Sequence, residues 1–349
     1  MTRRFQDYGP QLIAASLAFA ACFGLGTRCF SAGKQQAQPG ELLPVDRAQG
    51  DSFSQVGGSE HRQEKPVAGK DSRDLTPSQN LLKNSIELLR TQSIRSRVRQ
   101  IGVLFDKKLE TRGTYLQANG GKGGTRMLLE IQTENLVLDV KMVNDGVYFF
   151  RQVLVKNGSN DLAGVGGNRE KEVEPRVERI NLRLVRERYA QDKSWPGHWL
   201  AFGGLYLFMG QARSAFDFTG PDTGEIKGVQ YSVLRGVWKP EKLAQLVPDQ
   251  KVAILNRKAL DWRRIPHQIP LEIEIYFVKT GQLAGFPYRV VFFRPQDDLL
   301  EGITKKHVLI TEYSDPEIVD TPAQSEFQFN ADENEVRDVT DDFIKSISN

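Results

Sequence analysis

Between Val98 and Val153 the sequence alternates apolar and polar residues in five short runs, each broken by a turn-forming cluster. A period of two sends alternate side chains to opposite faces of a strand. Val98–Phe105 sets Ile101, Val103 and Phe105 on one side, and Thr111–Ala118 does the same with Thr114, Leu116 and Ala118. Arg126–Gln132 sets Met127, Leu129 and Ile131 against Leu128, Glu130 and Gln132. Leu136–Val143 sets Leu136, Leu138, Val140 and Met142 against Val137, Asp139, Lys141 and Val143. Asn144-Asp145-Gly146 then turns the chain into Val147–Val153. Connections this short leave no room for crossover helices, so the run predicts an antiparallel meander rather than a parallel sheet.

Helices are expected on either side of this meander. Thr76-Pro77-Ser78-Gln79 combines a cap, a proline suited to the first turn and the glutamine of a capping box. Leu81, Leu82, Ser85, Leu88 and Leu89 follow at helical spacing. Glu174–Gln191 reads as helical through Val177, Ile180, Leu184 and Val185, and Gly203–Phe216 is apolar almost all round. A second β region comprises Gly228–Trp238, Leu271–Lys279, Pro287–Arg294 and His307–Tyr313, with Leu271, Ile273, Ile275 and Phe277 on one face. Phe327, Phe329 and Asp338–Ile344 end the chain as a short strand and a capped helix. The expected fold class is α+β: a curved antiparallel sheet forming an unclosed β-barrel, with helices packed on its concave face.

The N-terminus reads differently. Arg3 and Arg4 precede an uncharged run from Leu12 to Gly26, the length of an export signal and short for a spanning helix. Residues 1–30 are therefore read as an export signal or membrane anchor. Three fates stay open: cleavage at Gly24-Leu25-Gly26, lipidation of Cys22 after Phe19-Ala20-Ala21, or retention. Residues 31–74 are rich in Gln, Gly, Ser and Lys and cannot bury enough surface to offset their ordering entropy. They read as a disordered polar linker, with residues 75–349 as the folded domain.

Much catalytic chemistry is excluded. Both cysteines, Cys22 and Cys29, lie in the leader, so the remainder has no thiol nucleophile and no Cys-based metal site. The net charge of +3 gives no footprint for nucleic acid. Asn119–Thr125 lacks the Ser or Thr that must follow the lysine of a phosphate loop, and Gly164-Val165-Gly166-Gly167 lacks the dinucleotide fingerprint. His61, His198, His267 and His307 are isolated, and no G-x-S-x-G elbow occurs. Asp338, Asp341 and Asp342 sit where a helix N-terminus favours negative charge. Neither a catalytic residue, a metal ligand nor a cofactor is assigned. The apolar helix keeps two readings. Most of it is ordinary core, but Leu207, Phe208, Met209 and Phe216 could also line a cavity for a lipid chain, since Met and aromatic groups adapt to irregular acyl surfaces.

The order of elements, with the turn Asn144-Asp145-Gly146-Val147-Tyr148-Phe149-Phe150 and the late strands from Leu271 to Phe293, resembles the LolA/LolB/LppX-like superfamily of periplasmic lipoprotein carriers. That superfamily includes the sensor domain of RseB-type regulators. The resemblance covers Leu75–Ile347 and implies a half-barrel whose helix, here Gly203–Phe216, packs into the opening. It implies an extracytoplasmic, non-enzymatic protein of the periplasm or envelope that binds a lipid, acyl chain or lipoprotein, or a sensor or scaffold on the same fold. The carriers' lid-tying arginine follows the second strand in a Lys-Arg-Pro context. Asn119–Thr125 stands there in this chain, and that role is given to neither Lys122 nor Arg126. The chain also has additional residues around Lys239–Pro270.

Overall fold

A computed structural model of the chain describes residues 75–104, 107–119, 124–132, 136–157, 176–188, 204–266, 269–298, 302–330 and 335–348. The leader with Cys22, the polar linker, Lys122, the glycine run 164–167, and His61, His198 and His267 lie outside the described residues.

Twelve strands form one sheet. They are β1 (Ser93–Leu104), β2 (Lys107–Gln117), β3 (Thr125–Gln132), β4 (Leu136–Asn144), β5 (Tyr148–Asn157) and β6 (Arg176–Asn181), then β7 (Phe216–Ile226), β8 (Val229–Trp238), β9 (Glu272–Val278), β10 (Pro287–Asp298), β11 (Gly302–Val319) and β12 (Val336–Asp338). Their order is β12-β6-β5-β4-β3-β2-β1-β11-β10-β9-β8-β7. Every pairing is antiparallel except β12 with β6. The end strands β12 and β7 are different strands that do not pair, so the barrel is unclosed. The helices are α1 (Pro77–Thr91), α2 (Leu182–Arg188), α3 (Gly204–Ala215), α4 (Pro240–Leu246), α5 (Lys251–Leu255) and α6 (Thr340–Ser348).

Local chemistry accounts for several elements. The Thr76 hydroxyl accepts from the Gln79 N–H at 3.3 Å, and the Gln79 side chain accepts from the Thr76 N–H at 3.1 Å. This reciprocal cap satisfies two donors that a helix start leaves open. The β4–β5 turn is held by Asn144 and Asp145. The Gly146 N–H donates to the Asn144 side chain at 2.7 Å, and the N–H groups of Val147 and Tyr148 donate to the Asp145 carboxylate at 2.8 and 2.6 Å. Gly146 has φ of 97°, a conformation that glycine adopts without Cβ strain.

The two faces of the sheet differ in chemistry. On the inner face, antiparallel register aligns Leu129 with Val140, and Val290 with Ile275 and then Leu234, all buried. The outer face carries an ionic ladder. Arg99 on β1 lies 2.9 Å from Glu110 of β2 and 3.5 Å from Glu312 of β11, which also pairs with Arg289 of β10. Arg289 stands over the Tyr276 ring of β9, the Tyr276 hydroxyl donates to Glu274 at 3.0 Å, and Arg235 of β8 reaches Glu274 at 3.1 Å. Charges crowd one face and hydrocarbon the other, which fixes the register of each strand.

A C-terminal strap crosses the outer face. After β11 the chain forms a short 3₁₀ turn, Gln324–Phe327, before reaching β12. Phe327 packs with Leu116, Ala118 and Val143 in a small second core. A Cβ on Gly124 would lie 2.1 Å from the Phe327 ring, so this crossing needs glycine beneath it. Phe329 stacks on Phe150 at 5.6 Å under Lys141, and Arg126 pairs with Glu326.

Four sequence expectations change. Glu174–Gln191 is not one helix: Arg176–Asn181 is β6, and α2 starts only at Leu182. Val177 and Ile180 lie on opposite faces of β6 and are both buried, so a strand covered on both sides mimics helical spacing. Phe216 opens β7 instead of closing the apolar helix. β7 itself is unexpected, because Gly220 and Pro221 interrupt it. As an end strand with a register shift between Thr219 and Asp222 it tolerates them. The apolar side expected of β2, Leu116 and Ala118, faces the strap on the outside, while Thr111, Tyr115 and Gln117 face inward.

The additional residues after β8 fold as α4, α5 and two 3₁₀ turns, with Leu243, Val247, Ile254, Ile265 and Ile269 in the main core. The buried Arg294 organises this segment. Its guanidinium donates to the carbonyls of Pro266 at 2.7 Å, Ile265 at 3.0 Å and Trp262 at 3.1 Å, and also to that of Ile269. Replacing Arg294 with Met removes the side-chain donor from all four carbonyls, of which those of Trp262 and Pro266 keep a backbone partner, and should cost about 2 kcal/mol in urea unfolding.

Glu110 supplies a pH signature. The hydrogen bond from Arg99 lowers its pKa from 4.5 to about 2, against opposing burial and with help from Arg112. A depressed folded-state pKa contributes stability that is fully present above the unfolded value and is lost as pH falls through the folded one. The melting-temperature gap between wild type and Glu110→Gln should therefore be constant above about pH 5 and shrink toward pH 2.

Candidate functional site on the concave face

The concave face has a roof at each end. Helices α1 and α3 pack on each other, and α1 also lies against β7. The Ser78 hydroxyl near the start of α1 donates to the Phe218 carbonyl of β7 at 3.2 Å. Near its end, the Leu89 carbonyl accepts from the Gln117 side chain of β2 at 2.7 Å. The same Gln117 accepts from the Tyr115 hydroxyl at 2.7 Å and from the Tyr206 N–H at 3.4 Å, while Tyr115 accepts from the Leu205 N–H at 2.9 Å. Two inward residues of β2 thus take the N–H groups that the start of α3 leaves open. Gly204 fits here because φ is 66° and a Cβ would lie 2.3 Å from the Tyr115 hydroxyl.

At the opposite end α2 lies against β5 and α6 against β6. Thr340 at the start of α6 accepts from the Asn181 N–H at 2.8 Å, and its own N–H donates to Asp338 at 3.0 Å. Asp338 also lies 3.2 Å from Arg179, while Asp341 and Asp342 occupy the first turn of α6.

Between these roofs, the inner residues of β3 and β4 are Met127, Leu129, Ile131, Leu138, Val140 and Met142, all buried. Met127 and Met142 face each other across the strands, and Met142 faces Arg151 of β5. Arg151 is buried and paired with Glu178 of β6, an ion pair on the inner face near the sheet's end.

The four residues singled out in sequence lie in the same apolar cluster as these strands. Leu207, Phe208 and Met209 are on α3, and Phe216 begins β7. Phe208 and Met209 are fully buried, and Leu207 is half-buried. The Phe208 ring meets Phe292 of β10 edge-on at 6.2 Å, and Phe216 lies 4.3 Å from Trp238.

Sequence reading missed a set of inward polar residues. On β1 the inner positions are Ile94, Ser96, Val98 and Gln100, and Ile101 points outward. Gln100 stands between Thr111 of β2 and Thr311 of β11, and all three are fully buried. The signal was present: Ser96 and Gln100 share a two-residue period with Ile94 and Val98. A crevice of about 510 Å³ lies between the β9–β10 turn and the end of β11, beside Val278, Leu283, Pro316 and Ile318. Among the described residues no three His, Cys, Asp or Glu side chains group as metal ligands. Arg126 points outward to the strap, away from the roof.

No protein-family model matches the sequence, and no curated protein matches it. Solved structures do show a likeness, at low identity. The chain is similar to the crystal structure of MucB, at 11% identity over 72% of this chain with a TM-score of 0.35, a match spanning 62% of the MucB chain. It is similar to the Mycobacterium tuberculosis lipoprotein LppX, at 12% identity over 70% of this chain and 98% of that one, with a TM-score of 0.31. A LolA superfamily protein from Nitrosomonas europaea matches at 11% identity over 72% of this chain and 97% of that one, with a TM-score of 0.26. At such identities the ligands and partners of those proteins are not carried to this chain.

Gln117 is the joint between sheet and roof. Gln117→Leu should leave the Leu89 carbonyl and the Tyr206 N–H unmet and lower stability by about 2 kcal/mol in denaturant unfolding. Tyr115→Phe should cost less, about 1 kcal/mol, since it removes one hydroxyl.

Proposed function

We propose that this chain is an extracytoplasmic, non-enzymatic binding protein that holds a lipid, an acyl chain or a lipoprotein against the concave face of its sheet. The observation that carries this reading is the largely apolar inner face of an unclosed sheet, roofed by helices whose described hydrogen bonds to the sheet lie at their ends. Leu207, Phe208, Met209 and Phe216 would be the roof-side contacts, and Met127, Leu129, Val140 and Met142 the sheet-side ones. Each methylene moved from water into such a face contributes about 0.8 kcal/mol, so a single chain gives useful affinity without any reaction. Residues 1–30 would export or anchor the protein, with Cys22 as the lipidated residue if the leader is processed as a lipoprotein. Residues 31–74 would tether the half-barrel of residues 75–349 near a membrane.

A cell-envelope sensor or protein-interaction scaffold on the same fold is the second reading, and the crevice beside β11 favours it. The two separate on one preparation. Lipid binding predicts co-purifying lipid in native mass spectrometry and displacement of a fluorescent fatty acid. Val140→Trp, which fills the middle of the inner face, should weaken that probe by about tenfold or more while circular dichroism stays native. A domain that is empty as purified and takes up no acylated ligand would rule the lipid reading out.

A further inference from the structure

The concave face carries buried polar groups with nothing to bind. Gln100, Thr111 and Thr311 form one row across β2, β1 and β11, each at 0% exposure. Inside the row the one described bond is long, 3.5 Å from the Gln100 amide to the Thr311 hydroxyl. The Gln100 carbonyl oxygen and the Thr111 hydroxyl have no partner, nor do the hydroxyls of Ser96 and Tyr313 on neighbouring inner positions or of Ser85 on α1. Five of the six unpartnered buried side-chain atoms among the described residues thus lie on α1 and the central strands β1, β2 and β11, four of them at inner positions of the sheet. The sixth is on Arg289, in the outer ladder.

Such groups are costly to bury unless something satisfies them, and a fully unmet cluster is rare in a folded protein. Apolar residues of similar size would pack here with no such cost. The set comprises hydroxyls, which donate and accept, and one amide oxygen, which accepts. No charged side chain stands in the row, and an ion brought there would lose its hydration without a counter-charge. The matching chemistry is therefore neutral and hydrogen-bonding.

We propose that the Thr111–Gln100–Thr311 row, with Ser96 and Tyr313, is a subsite for an uncharged polar group, an ester, amide or hydroxyl, of the apolar ligand held on the concave face. This rests on the acyl-binding reading above and adds a selectivity to it. The acyl chain lies along the apolar residues of β3 and β4, and its linkage to a headgroup sits under α1 and α3. The row's groups then exchange hydrogen bonds with that linkage, which a plain hydrocarbon cannot offer.

The test compares monopalmitoylglycerol with hexadecane, both below aggregation, as competitors of a fluorescent acyl probe on the full chain. Wild type should prefer the glyceride by roughly tenfold, the size of one or two buried hydrogen bonds. The double variant Gln100→Met, Thr111→Val keeps volume and removes the two unmet atoms of the row, together with the long bond to Thr311. It should unfold at equal or higher denaturant concentration than wild type, bind hexadecane unchanged, and lose the preference to within about twofold. An undiminished preference in the double variant overturns the subsite and leaves the acyl-binding reading standing, with water as the occupant of the row. Failure of wild type to bind either competitor or the probe overturns both.

Discussion

The pairing of β1 with β11 is the interaction on which the rest of the sheet depends. It joins residues 93–102 to residues 309–319, so the first strand and the longest late strand meet at the centre of the sheet. Without it the chain would hold two meanders, each with a long unpaired edge, and such edges invite wrong partners. The salt bridge from Arg99 to Glu312 crosses this seam from outside, and Val98 faces Tyr313 from within. Because the seam closes a loop of some two hundred residues, its formation is slow relative to the local hairpins that flank it. The helices encoded between the two meanders are then confined to the one face that still needs covering.

Two faces with opposite chemistry follow from that geometry. Outside, carboxylates and guanidinium groups alternate across neighbouring strands, where each is partly hydrated and partly paired. Inside, hydrocarbon runs from β4 to β9, interrupted by the polar row around Gln100 and bounded on β5 and β6 by the Arg151–Glu178 pair. Surface pairs of this kind contribute little one by one. Their arrangement matters more for register: a strand displaced by one residue would bury charge and expose the core.

Features set by neighbours in sequence could be read from it: the capping box at Thr76, the turn at Asn144-Asp145-Gly146, and the alternation in β3, β4 and β9. What could not be read depended on distant cover. Leu116 and Ala118 look inward-facing until the strap brings Phe327 over them. Val177 and Ile180 look helical because both faces of β6 are buried. Gln100 and Thr111 look like solvent-facing positions, since polarity normally marks the wet side of a strand. Arg294 gives no sign in sequence of the carbonyls around it, because those come from a segment with no repeat of its own. On the concave side, the hydrocarbon of Leu207, Phe208 and Met209 stood out in the sequence, whereas the polarity of Ser96 and Gln100 masked the two-residue period they share with Ile94 and Val98.

The strap behaves like the hoop of a cask. It leaves the middle of the sheet at Val319, passes outside β2 to β5 and delivers β12 to the far end beside β6. Its grip is on the outer surface, through Phe327, Phe329 and the Arg126–Glu326 pair, and owes nothing to the helices within. The curvature of this half of the staves is thus held independently of the contents. On the proposed reading, the helices of the concave side would be free to make way for a ligand, because none of these outer contacts involves them.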